Sequence, residues 1–134
     1  MGLRRSRGAV VNVASVHAFA TSAGAAPYAA SKGAIVALTR AAALEWAPDV
    51  RVNAVAPGAV DTGMLRQGVQ RWAPPEAVDA ELERLAARIP LGRIGRPEEI
   101  AEAILFLADG RRSSFITGQV LVADGGALAR LSTE

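Results

Sequence analysis

Three short apolar runs alternate with longer helix-forming stretches, and this alternation limits the chain to few architectures. The runs are GAVVNVA from Gly8 to Ala14, VRVNAVA from Val50 to Ala56 and FITGQVLV from Phe115 to Val122. The first is apolar on both sides of its alternation, so it reads as a strand buried on both faces. Near-continuous apolar strands separated by helices are the pattern of a parallel sheet covered by helices, an α/β fold.

Between the first two strands, VHAFATSAGAAP is rich in small residues and ends in proline, which predicts a loop. A helix is predicted from Tyr28 to Trp46, with Ile35, Leu38, Ala42 and Glu45 at helical spacing and Pro48 and Asp49 as its stop. Pro57 and Gly58 end the second strand. Short helical pieces are expected around Gly63 to Arg71 and Pro75 to Arg88. Pro97, Glu98 and Glu99 then open a helix, because proline suits the first helical position and acids suit the positive end of the dipole. Ile100, Ile104 and Leu107 would line its inner face, and Gly110 would supply a left-handed C-terminal residue. Asp124, Gly125 and Gly126 end the third strand.

A complete doubly wound dinucleotide fold has about six strands and a glycine-rich turn after the first. This chain has about three strands with covering helices and contains no G-x-G-x-x-G. The expected architecture is therefore a partial doubly wound parallel sheet, residues 1–134 forming a single incomplete domain whose N-terminal half is absent. Half of the 134 residues are apolar and none is cysteine, which fits one compact unit without disulfides.

Charge narrows the function. The isoelectric point is near 9.9, but the net charge is only +2. Arginine is interleaved with acid through ELERLAAR and GRPEEIAE, with no basic stripe carrying stacking aromatics, so nucleic acid is not an expected partner. No run reaches the length of a membrane span, and MGLRRSRG lacks the apolar stretch of a signal peptide. The expectation is a cytoplasmic protein that engages neither membrane nor nucleic acid.

Tyr28 is the only tyrosine, and Lys32 is the one lysine among fifteen basic residues. Four positions apart on a helix, they share a face one turn from each other. Such a pair suits proton transfer at the oxygen of an alcohol or carbonyl, the phenol being the acid and the phenolate the base. Lysine adds rotatable donors that a planar guanidinium does not match. Alone, the pair reads equally as a helix-entry tyrosine and an exposed lysine. Ser15 adds context: it stands at the C-terminal end of a parallel strand, where open α/β sheets place their ligands, and its hydroxyl can polarise a substrate oxygen. His17, the sole histidine, has no cysteine or second histidine with which to share a metal. It reads as a loop or substrate-pocket residue, and no metal is expected.

N-V-A-S, Y-A-A-S-K, R-V-N-A-V-A-P-G-A-V-D-T, G-R-P-E-E-I-A and I-T-G-Q-V-L-V-A-D-G-G follow one another from Gly8 to Gly126. In order and spacing these segments resemble the short-chain dehydrogenase/reductases. The resemblance implies a Rossmann-type fold, NAD or NADP as cofactor, and hydride transfer between nicotinamide and a small-molecule carbonyl or alcohol. It matches Ser15 to the substrate-polarising serine, Tyr28 to the acid/base, and Lys32 to the lysine that assists the tyrosine and holds the nicotinamide ribose. Pro57, Gly58, Val60 and Thr62 match the segment that contacts the nicotinamide end of the cofactor, and Thr62 also reads as a helix cap. Residues 64–95 resemble a substrate lid, with Met64, Leu65, Trp72 and Leu85 as its apolar members.

Several family features fall outside these matches: the glycine-rich turn, the residue that selects NAD or NADP, the N-N-A-G segment and the catalytic asparagine. Asn12, within a strand, does not replace that asparagine, and Ala14 stands where a second serine is common. The choice between NAD and NADP is therefore not legible. Gly33, Ala34, Ala37 and Ala41 permit close helix packing, and the family's habit of pairing through this helix implies a homo-oligomer. A competing expectation is a truncated, catalytically inactive fragment acting only as an association module.

Overall fold

The computed structural model describes residues 7–131. Its sheet has three parallel strands in the order β1 (Ala9–Val13), β2 (Arg51–Pro57), β3 (Val120–Ala123). β1 and β2 are in register from Ala9 opposite Arg51 to Val13 opposite Val55, and β2 and β3 from Ala54 opposite Val120 to Pro57 opposite Ala123. The helices are α1 (Ala26–Trp46), α2 (Gly63–Val69), α3 (Val78–Ala87) and α4 (Pro97–Ala108). This is the expected partial doubly wound α/β sheet.

β2 is paired on both edges and covered on both faces, so Val52 to Ala56 are all buried. Its even positions turn to α1. Val52 packs with Ala42, Ala43 and Val50, and Ala54 and Ala56 pack with Val36 and Ala14. Its odd positions turn the other way, where the Arg51 guanidinium reaches the end of α4. There it donates to the carbonyls of Leu107 (3.0 Å) and Ala108 (3.3 Å). Those carbonyls have no partner within the helix, so Arg51 caps α4 from a strand.

One polar pair sits in the α1 layer. Thr39, fully buried, donates to the Ile35 carbonyl at 2.7 Å and accepts from Asn12 Nδ2 at 2.9 Å. Asn12 therefore ties β1 to α1 with its side chain satisfied, a structural use.

Four expectations are corrected, and the structure adds which face of α1 is covered. β1 is half-buried, with Val13 46% exposed, because only β2 pairs with it among the described residues. The segment after it is not all loop: Val16–Ala18 is a 3-10 turn and α1 already begins at Ala26. The buried face of α1 is Val36, Thr39, Ala42 and Ala43, while Leu38 is 61% exposed.

The third strand does not begin at Phe115, which is fully exposed. The Val52 N–H donates to Thr117 Oγ1 and the Gly118 N–H to the Val52 carbonyl, while Asn53 Nδ2 donates to the Ile116 carbonyl. The Ile116 N–H closes a turn on the Ser113 carbonyl, and the bonds from Val52 and Asn53 hold Ile116 to Gly118 beside β2 in irregular conformation, so strand pairing starts only at Val120. Gly110 is not left-handed either. The chain leaves α4 through Asp109 in an extended conformation, and the Asp109 carboxylate accepts from the Arg111 N–H.

Candidate active site

Ser15 follows β1 directly. The Ala14 N–H still donates to the Val55 carbonyl, holding the strand end against β2. Ser15 is buried, and its Oγ accepts the His17 N–H at 3.2 Å as the cap of the 3-10 turn. A hydroxyl that accepts from a backbone amide keeps its own hydrogen for another acceptor.

Tyr28 is in the first turn of α1 and 39% exposed. Pro27 starts the helix ahead of it, its preset φ suiting a first turn. Lys32, one turn further, reaches back along the helix toward the sheet. Its Nζ donates to the Val13 carbonyl at 3.1 Å and lies 5.7 Å from the Tyr28 ring centroid. That single bond leaves two ammonium donors. The expected pair thus shares one face, and the helix carrying it is tied to the end of the strand carrying Ser15.

Ser15 and Tyr28 make no hydrogen bond with each other among the described residues. His17 stands between them in contact terms. Its amide bonds Ser15, and its imidazole meets the Tyr28 ring edge-on, centroids 5.3 Å apart and planes at 79°.

The second group of expected residues extends the same end of the sheet, since parallel neighbours finish side by side. Pro57 closes β2. The Gly58 N–H donates to the Ala123 carbonyl at 3.0 Å, so that amide is taken. A Cβ on Gly58 would lie 2.8 Å from Asp124 Cα, which explains glycine there as close backbone approach. Val60 is bridged to Gly95 by the Gly95 N–H to the Ala59 carbonyl and the Asp61 N–H to the Gly95 carbonyl. No hydrogen bond among the described residues takes the Val60 amide itself. Thr62 caps α2, its Oγ1 accepting from the Leu65 N–H at 3.3 Å, which again leaves the hydroxyl hydrogen free.

Charges around this segment are paired. Arg66 binds Asp61 with two nitrogens and Asp79 with a third contact, holding the Asp61 carboxyl below its usual range. Arg93 forks onto Glu99 at 2.6 and 2.8 Å, and the Glu99 carboxylate also accepts from the Arg96 N–H. Arg93 first, then the Arg96 amide, lower the Glu99 carboxyl to about 2.

Residues 64–95 carry a small core of their own, Val69, Ala73, Val78 and Leu82, against which Leu65 packs. Leu65 is therefore engaged within this segment, while Met64 and Trp72 stand exposed. An open cleft of about 470 Å³ lies nearby, lined by Ala59, Leu91, Arg93, Glu99, Ile100 and Asp124. It includes none of Ser15, Tyr28 and Lys32.

Two contributors escaped the sequence reading. The Val13 carbonyl anchors Lys32, but a backbone carbonyl has no residue signature. The His17 to Tyr28 contact had only the rarity of both residue types as a signal.

The family described as Enoyl-(Acyl carrier protein) reductase matches residues 2–127. Over 125 residues the chain is 43% identical to the 3-oxoacyl-[acyl-carrier-protein] reductase FabG of Thermotoga maritima, covering 92% of this chain and 47% of that protein. It is 46% identical over 129 residues to the Inactive 2-(S)-hydroxypropyl-CoM dehydrogenase 2 of Xanthobacter autotrophicus, covering 95% and 54%. Among solved structures, ligand-free aldohexose dehydrogenase of Thermoplasma acidophilum superimposes with a TM-score of 0.91 at 37% identity, covering 96% of this chain and 51% of that one. The chain spans about half the length of the curated relatives it matches.

Proposed function

The chain belongs to the short-chain dehydrogenase/reductase family, and from that premise we propose that it carries the proton-transfer residues of an NAD- or NADP-dependent oxidoreductase. The substrate class is a small-molecule carbonyl or alcohol. The observation that carries the reading is the placement of Lys32 Nζ, 5.7 Å from the Tyr28 ring and anchored on the strand that leads to Ser15.

The residues suit the nicotinamide end of such a cofactor. Lys32 keeps two donors for sugar hydroxyls, Thr62 keeps its hydroxyl hydrogen, and the Val60 amide is available as a further donor. Gly58 contributes by close packing rather than by its amide. Held by these residues, a nicotinamide cofactor would supply the hydride chemistry at the substrate carbon.

Ser15 donates its hydroxyl hydrogen to the substrate oxygen and draws charge toward it. In reduction Tyr28 gives its phenolic proton to that oxygen, and in oxidation its phenolate removes the proton. Lys32 supplies positive charge beside the ring throughout. The exposed Met64 and Trp72 suit an apolar lid over the substrate.

A homo-oligomer fits the outward face of α1, where Ala34, Ala37, Leu38, Ala41 and Leu44 are all exposed. The same face, together with one relative named as inactive, favours a second reading in which the chain serves only association. Tyr28→Phe separates the two. In the active protein that carries this chain, it is expected to lower turnover by about 10²-fold or more, the usual worth of general acid/base catalysis, with cofactor affinity unchanged. Retention of more than about a tenth of the activity would remove Tyr28 from the acid/base role. A protein with no turnover to lose would favour the association reading.

A further inference from the structure

His17 is the single histidine and touches both proposed chemical groups from the 3-10 turn after Ser15. Its backbone fixes the Ser15 hydroxyl, and its imidazole meets the Tyr28 ring in a T-shaped contact. The imidazole is itself braced, because Nδ1 shares a 2.7 Å hydrogen bond with Thr21 Oγ1.

Tyr28 needs such support. It is more than a third exposed, so it lacks the all-round packing that fixes a core aromatic. The Lys32 ammonium approaches the ring, but it is a point charge on a flexible stem and does not set the ring's direction. An edge-to-face aromatic contact does set direction, because the positive ring edge prefers the negative ring face.

We infer that His17 is a positioning residue: its imidazole, braced by Thr21, is the wall that holds the Tyr28 phenol in the orientation from which the proton moves. It acts through Tyr28 and not on the substrate. The kinetic part of this inference rests on the acid/base role proposed above, whereas the ring-ordering part does not.

Because Tyr28 is the only tyrosine of these 134 residues, ¹³C-labelled tyrosine in this chain gives a single side chain whose χ1 couplings report its order by NMR. His17→Ala in the full chain is expected to average those couplings toward free rotation. Thr21→Val and His17→Phe, each of which keeps an aromatic ring at position 17 but loses the brace, should average them only partly. In the active protein, His17→Ala should lower kcat by about twofold to tenfold, the worth of one aromatic pair, with the KM for cofactor unchanged and part of the loss recovered in His17→Phe.

Unchanged Tyr28 couplings in His17→Ala would overturn the inference. So would a His17→Phe protein with an ordered Tyr28 ring and a kcat as low as that of His17→Ala, since the imidazole nitrogens would then act on substrate directly. If Tyr28→Phe proves fully active, the acid/base role fails while the coupling measurement still decides whether His17 orders the ring.

Discussion

Lys32 Nζ is bonded to the carbonyl of Val13, nineteen positions earlier in the chain, at 3.1 Å. This bond joins the helix that bears Tyr28 to the strand that presents Ser15, and it aims the ammonium at the tyrosine ring. In the proposed reaction Lys32 would thus contribute by place as well as by charge.

Lys32→Arg is accordingly expected to be damaging although the charge survives. The guanidinium is planar and larger, so it does not meet the Val13 carbonyl and the sugar hydroxyls in the same way. Both Lys32→Ala and Lys32→Arg should lower kcat/KM and weaken cofactor binding, read by steady-state kinetics and cofactor titration. A Lys32→Arg protein with the parent's rate and pH profile would show that charge alone matters.

Asn53 is fully buried and uses both ends of its amide across the chain, donating to the Ile116 carbonyl at 2.9 Å and accepting from the Gln119 N–H at 3.0 Å. Asn53→Ala leaves a donor and an acceptor unmet in the interior, at a cost of about 2–4 kcal/mol. Urea unfolding of the two proteins measures it. A loss below about 0.5 kcal/mol would mean that the Ile116 to Gln119 segment finds other partners.

Glu99 gives a pH signature. Its carboxyl is held at about 2 in the fold by Arg93 and the Arg96 amide, against an ordinary value of 4.5. A lowered folded-state value means stability that is complete above about pH 4.5 and lost as the pH falls toward 2. Glu99→Gln should therefore flatten the acid limb of the stability curve, and it should lower stability at neutral pH by loosening the first turn of α4. Thermal melts at pH 7, 4.5 and 2.5 test this; parallel curves for parent and variant would contradict it.

The 134 residues expressed by themselves are expected to bind neither NAD nor NADP with useful affinity. The sequence holds no G-x-G-x-x-G turn to receive a pyrophosphate at a helix N-terminus. β1 also offers an unpaired edge among the described residues, beside the exposed Val13, and such edges recruit other chains. Calorimetric titration with each cofactor, beside light scattering, measures both. A monomer that binds either cofactor at micromolar strength would overturn the expectation.

Local pattern was enough for much of this molecule. Strand–helix alternation predicted the parallel sheet because short β-rich apolar runs between helix-forming stretches are recognisable from neighbouring residues, although only β2 is buried on both faces. The four-residue spacing of Tyr28 and Lys32 predicted a shared face because helical geometry is local. Thr62 was legible as a cap for the same reason.

What remained depended on partners far along the chain. Phe115 to Thr117 has the composition of a strand, yet Val52 and Asn53, more than sixty residues earlier, bind this stretch in irregular conformation and delay β3 to Val120. Arg51 looks like any surface arginine until the end of α4 arrives beneath it. The Val13 carbonyl that anchors Lys32, and the His17 ring against Tyr28, likewise exist only once β1 and α1 have packed. The sequence by itself determined that three strands with helices between them form and that Tyr28 and Lys32 share one helical face, since those follow from spacing along a few residues. The tertiary structure alone decided where β3 begins, which face of α1 is covered and how Tyr28 is held, because hydrogen bonds to backbone carbonyls and contacts between distant elements leave no mark on neighbouring residue types.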